Sequence, residues 1–203
     1  MFEFLKSGGP VMIFIGAASV VGLMAFIERL WALRADRVVP KALRVELLEL
    51  ARQRRWDDAI TLCRKQESPV ANVLVVVLEN RHRSRSDAKE LAEEVGKREA
   101  AELERYSGIV GIVASVAPLL GLLGTVWGMI LTFQVIQDKG MGHIGDLAGG
   151  ISTALVTTFA GLCVGIPALI AHRYLLSRID DLVLELEEAA LDVLDVTSMP
   201  ETE

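Results

Sequence analysis

Residues 106–137 read YSGIVGIVASVAPLLGLLGTVWGMILTFQVIQ, without a single Asp, Glu, Lys or Arg. A helix needs about 20 predominantly apolar residues to cross a hydrocarbon core about 30 Å thick, so this run is long enough to span a bilayer. Residues 7–27 on one side and 147–172 on the other are also free of those four residue types. The composition, 52% apolar yet 24% charged, is too oily for an ordinary soluble domain and requires the charges to be segregated between the runs. The chain therefore reads as an all-α integral membrane protein with three transmembrane helices and long cytoplasmic helical extensions.

Basic residues orient the spans, because short loops rich in Lys and Arg stay on the cytoplasmic side. Arg29, Arg34, Arg37 and Lys41 follow the first run, Lys97, Arg98 and Arg105 precede the second, and Arg173 and Arg178 follow the third; Lys6 and Lys139 stand alone on the other side. The N-terminus is thus expected outside and the C-terminus inside. The expected order is a short outer N-terminus (1–8), transmembrane helix 1 (9–32), a cytoplasmic helical loop (33–105), transmembrane helix 2 (106–137), an outer turn (138–146), transmembrane helix 3 (147–173) and a cytoplasmic amphipathic helical tail (174–203). The first run is read as a span and not a cleaved leader: its apolar stretch is long, only Lys6 precedes it, and no small-x-small site follows.

Within the loop, Pro40 suits a first helical turn, followed by Leu43, Val45, Leu47, Leu48 and Leu50. Trp56, Ala59, Ile60 and Cys63 repeat at helical spacing, and Ser68-Pro69 reads as a start ahead of Val73, Val76 and Val77. Asp87 with Glu90 predicts a capping box for a long helix running on into the second span. The β-branched run from Val75 to Val77 is the one competitor to an all-helical loop. In the tail, Ile179, Leu182, Leu186, Ala189 and Val193 keep a three-to-four spacing while Asp180, Asp181, Glu185, Glu187, Glu188 and Asp192 fill the other positions, an amphipathic continuation whose acidic side is a solvated face. The helical pattern gives out from Thr197. Cys63 falls in the loop and Cys163 in the third span, without metal-ligand spacing, so both are expected to be plain thiols and no metal or other cofactor is implied.

No span holds a carboxylate, Lys or Arg, and His172, at the inner end of the third, is their one conventional titratable group. Intramembrane ionisable groups mark ion relays, so any charge that moves must ride on a partner, on water or on the permeant ion itself. The spans carry small and hydroxylated residues instead. Ala114, Pro118, Gly121, Thr125, Gly128 and Thr132 share one helical face in the second, and Gly150, Ala154, Thr158, Gly161, Gly165 and Ala168 share one in the third, with Thr157 beside them. Such stripes mark close helix contacts in lipid; a threonine hydroxyl can equally line a water path. Pro118, Gly121, Gly124, Gly128, Gly161, Gly165 and Pro167 are assigned to helix packing. A lone hairpin is expected to leave its stripes facing lipid, so the stripes should join one copy to another. The first span lacks a stripe and is expected to be a peripheral, lipid-facing helix.

ASVAPLLGLLGTVWGMILTF, from Ala114 to Phe133, resembles the second-span motif of the ExbB/TolQ/MotA proton-channel family, and GGISTALVTTFAGLCVGIPALIAHRYL, from Gly149 to Leu175, is similar to its third-span motif. Three spans place the resemblance on the ExbB/TolQ-like branch, one span short of the flagellar MotA branch. The resemblance implies a homopentamer in a bacterial inner membrane, with the outer segments periplasmic and in contact with membrane lipid. It also implies an ExbD/TolR-like partner dimer in the central channel, whose transmembrane Asp carries the ion, and a TonB/TolA-like protein beyond it. By position in the motifs Thr125 and Thr158 correspond to the pore threonines, and Thr153 and Thr157 join them as ion-pathway candidates. Where many ExbB and TolQ sequences carry a Glu early in the third span this chain has Thr153, which leaves H+ and Na+ both open as the coupling ion.

The implied function is a ring subunit of a motor that couples ion flow to TonB-dependent outer-membrane transport. TolQ-like envelope maintenance, a gliding motor and a non-conducting membrane scaffold are the alternatives. Enzyme chemistry finds no nucleophile-base pair, metal cluster or phosphate loop in the sequence. A net charge of -6, with the basic residues explained by topology, argues against nucleic acid as a partner.

Overall fold

A computed structural model of the chain describes residues 8–140 and 144–197, and every regular element within them is helical. The helices are α1 (Val11–Ala32), α2 (Ala35–Val38), α3 (Lys41–Arg52), α4 (Trp56–Lys65), α5 (Pro69–Glu79), α6 (Arg85–Glu104), α7 (Ser107–Lys139) and α8 (Ile144–Thr197). They fall into two compact units whose boundaries cut α1 and α8: the described parts of Met1–Glu28 with Tyr106–Tyr174, and Arg29–Arg105 with the described part of Leu175–Glu203. Expectations for 1–7, 141–143 and 198–203 lie outside the described residues.

The first unit consists of α7 and the starts of α1 and α8, the three helices long and apolar enough to cross a membrane. Its surface says the same: Phe14 is 63% exposed, Leu119 62%, Leu155 65% and Ile170 66%. A contiguous apolar surface of this kind is tolerated only against lipid or another protein. α7 ends where Gly140 takes φ 75° and its N–H reaches the Ile136 carbonyl at 2.9 Å, a left-handed residue that favours glycine. Inside α7, Pro118 has no N–H to give the Ala114 carbonyl. α1 is not merely peripheral: Val11, Met12 and Ile15 are buried with Leu120, Ala160 and Val164 packed on them, and a Cβ on Gly22 would come 3.0 Å from Val113. The helix presents one packed stripe, and Ile13, Val20, Leu23 and Met24 stay exposed.

In the second unit α3 packs on α4, α4 on α5 and α5 on α6. Leu43 and Leu47 of α3, Ala59 and Cys63 of α4, and Val73, Leu74, Val77 and Leu78 of α5 are all buried; Val45 is exposed. The Val75–Val77 run stays helical because its neighbours at three- and four-residue steps form the buried face. The end of α8 contributes Ile179, Leu182, Leu186, Ala189 and Val193, all buried, at the spacing read from the sequence. Part of its acidic side is paired: Asp192 with Arg44 of α3, and Asp195 with Arg85 at 2.6 Å. α6 starts differently from the expectation. Its cap is Ser84, whose Oγ accepts the Asp87 N–H at 3.2 Å, so Asp87 is the third helical residue and Glu90 lies a turn further on. Nor does this helix run on into the second span, since Arg105 and Tyr106 separate α6 from α7.

Candidate functional site

The stripes of α7 and α8 meet each other. A Cβ on Gly128 would lie 2.6 Å from the Gly150 carbonyl oxygen, one on Gly121 3.0 Å from the Thr157 carbonyl and 3.3 Å from Gly161, one on Gly161 2.6 Å from the Ala117 carbonyl, and one on Gly165 2.5 Å from Pro118. Residue numbers fall along α7 as they rise along α8, so the pair is an antiparallel hairpin. Backbones approach this closely only because the intervening side chains are missing, which is how helices gain van der Waals contact in a solvent as apolar as themselves. The expectation that a lone hairpin leaves these stripes facing lipid is therefore corrected: the seam lies within one chain. Pro118 also belongs to it, because the Ala114 carbonyl that it leaves without a helical donor faces the gap at Gly165. Pro167 does not; it lines a cleft of about 280 Å³ with Ser19, Gly22 and Phe26 of α1.

The four candidate threonines divide between two flanks of the seam. Thr153 and Thr157 share a flank with Ala160 and Val164, the two residues packed against α1. There Thr153 lies beside Gly9, and Thr157, fully buried, lies beside Gly8 and fills the space left by Gly124. Thr158, one residue on, is rotated by about 100°. Its Oγ reaches the Gly121 carbonyl across the seam at 3.3 Å and the Ala154 carbonyl at 3.2 Å. Thr125 sits on the side of α7 away from Leu120, which packs against α1, and from Trp127, which lies beside Gly9. Thr125 and Thr158 are thus half-buried on a flank that α1 leaves open.

Every one of these hydroxyls spends its proton on a backbone carbonyl: Thr125 on Leu122, Thr132 on Gly128 at 3.0 Å, Thr153 on Gly149 at 3.0 Å, and Thr157 on Thr153 and Ala154 at 2.9 Å. A hydroxyl has one donor and two acceptor sites, so what remains is acceptor capacity. Such a surface suits water, a hydronium ion or a small cation, and holds no charge of its own. Sequence reasoning missed Trp127 against Gly9 and the seating of His172 over Gly111; Gly111 occupies the seam's helical phase, which was the available signal. Among the described residues no cluster of His, Cys, Asp and Glu could hold a metal.

The pattern of the MotA/TolQ/ExbB proton channel family matches residues 65–188, which include all of α5, α6 and α7 and most of α8. The chain is 30% identical to the biopolymer transport protein ExbB of Neisseria meningitidis serogroup A over 208 aligned positions, covering 93% of this chain and 92% of that one. It is 40% identical over 86 residues to the biopolymer transport protein ExbB of Aquifex aeolicus, 42% of this chain and 58% of the relative. Over 83 residues it is 37% identical to the Tol-Pal system protein TolQ of Haemophilus influenzae, 41% of this chain and 36% of that protein.

Proposed function

Because the chain belongs to the MotA/TolQ/ExbB proton channel family, we propose that it forms the homopentameric channel ring of a motor in a bacterial inner membrane, coupling H+ flow to TonB-dependent outer-membrane transport. The observation that carries this reading is the hairpin itself. Two spans of the family pattern enclose no carboxylate, yet present Thr125 and Thr158 on one uncovered flank with only acceptor sites to offer. A ring of such flanks forms a lining that orders water or a cation without trapping it. The carrier of charge is then a carboxylate on a single-span ExbD- or TolR-like helix inside the ring. The same lining suits Na+, which replaces H+ if the partner's acid serves as a ligand.

The chain is oriented with α2 to α6 and the end of α8 in the cytoplasm, as the Lys and Arg distribution favours. A TolQ-like role in envelope maintenance is the second reading, favoured by the similarity to TolQ of Haemophilus influenzae. Deletion separates the two: loss of uptake through TonB-dependent receptors supports the first, and leakage of periplasmic proteins with intact uptake supports the second. A non-conducting scaffold predicts that the assembled complex moves no ions in vesicles.

A further inference from the structure

The seam does not stop at Gly165. Its three- and four-residue steps continue along α8 through Ala168 to His172, and along α7 from Ala114 through Gly111 to Ser107. His172 Nδ1 lies 3.2 Å from the Ser107 carbonyl oxygen. A carbonyl only accepts, so Nδ1 is the donor of this hydrogen bond. A Cβ on Gly111 would come 2.9 Å from Nε2, 3.0 Å from Cε1 and 3.2 Å from Cδ2. The ring therefore lies across Gly111 and occupies the room that any side chain there would need.

A seam of glycine and alanine fixes distance between helices better than register, because small residues recurring every three or four positions look alike after a one-step slide. Hydrogen bonds across the seam remove that freedom. Thr158 gives one to the Gly121 carbonyl, and His172 gives a second about 21 Å further along α8, at ~1.5 Å per residue. From this we infer that His172 is a positioning residue of the channel: its Nδ1–H on the Ser107 carbonyl, with the ring seated over Gly111, sets the register that keeps Thr125 and Thr158 on one flank. The inference rests on the channel reading above.

The test uses the full chain assembled with its partner in vesicles, with spin labels at the exposed positions Ile112 and Leu169 and the native cysteines replaced. His172→Asn keeps a donor where Nδ1 stands and gives up the ring; His172→Phe keeps the ring and gives up the donor; Gly111→Ala evicts the ring. The Asn variant should hold the wild-type label distance and keep ion flux within about twofold. The Phe and Gly111→Ala variants should move the labels by about 4.5–6 Å, the rise of one three- or four-residue step of the seam, and lower flux roughly two- to tenfold, the range of one lost hydrogen bond. Combining Gly111→Ala with His172→Asn should restore the distance, since the shorter side chain clears the added methyl. Wild-type behaviour of Phe with failure of Asn would reduce His172 to a packing residue and overturn the proposal, as would unmoved labels in Gly111→Ala. Moved labels with unchanged flux would uphold the register role and contradict the ion path through Thr125 and Thr158 instead.

Discussion

Thr125 and Thr158 occupy one flank but differ in what their hydroxyls hold. Thr125 bonds only within its own helix, whereas Thr158 also bridges the seam to Gly121. Thr125→Val should therefore lower ion flux per assembled ring roughly two- to tenfold without changing thermal stability in detergent, while Thr158→Val should also lose about 0.5–1.5 kcal/mol of hairpin stability. Thr132→Val, buried in the seam against Gly150, should leave flux unchanged. Spacing in the sequence brings Thr125 and Thr158 onto the stripes but cannot assign Thr153 and Thr157, because the flank that α1 covers is set by tertiary packing of Val11, Met12 and Ile15. Cys63 makes a separate prediction: burial pushes its thiol up to about 12 from the ordinary 9.0. The unfolded chain then ionises first, so this contribution to stability is complete below pH 9.0 and fades as pH climbs towards 12. Melting of the protein between pH 8 and about 10.5 should fall less steeply in Cys63→Ala than in the native chain.

At the scale of elements, the seam is the feature whose disruption has a defined direction. Gly161→Ala places a methyl 2.6 Å from the Ala117 carbonyl and should destabilise the hairpin by about 1–3 kcal/mol, seen as earlier melting or faster proteolysis in mild detergent. Gly124→Leu and Gly161→Leu would break the chain's own hairpin before any contact between copies, so loss of the ring in those variants does not locate the ring interface. Ser84→Ala should cost α6 about 1 kcal/mol through its cap, whereas Asp87→Asn should cost less. The sequence carried both stripes and the buried face at the end of α8 in full, because a three-to-four period is a local property. It misplaced the α6 cap although Ser84-Arg85-Ser86-Asp87 was legible, since Asp87 with Glu90 offered a second start with the same chemistry. The break at Arg105 and Tyr106 has no proline or glycine to announce it.

For the whole molecule, the proposed orientation places Arg83 and Glu188 in the cytoplasm and Gly140 outside. A membrane-impermeant thiol reagent applied to intact cells should label a cysteine at Gly140 and miss one at Arg83 or Glu188; labelling at Glu188 would invert the topology. Membrane character was legible because three charge-free runs leave no other solution, and the hairpin's use of its own stripes was not, because periodicity names a contact face without naming its partner. The absence of any Asp, Glu, His, Lys or Arg between Ser107 and Gln137 or between Leu147 and Ala171 is the reason the proposed ring would need a partner's ionisable group. The direct measurement is proton flux into vesicles containing the ring alone, the ring with its ExbD- or TolR-like partner, and the same complex carrying Thr125→Val with Thr158→Val. Flux that requires the partner and falls in the double variant, with assembly intact, is the expected result; full flux in the double variant would contradict the account.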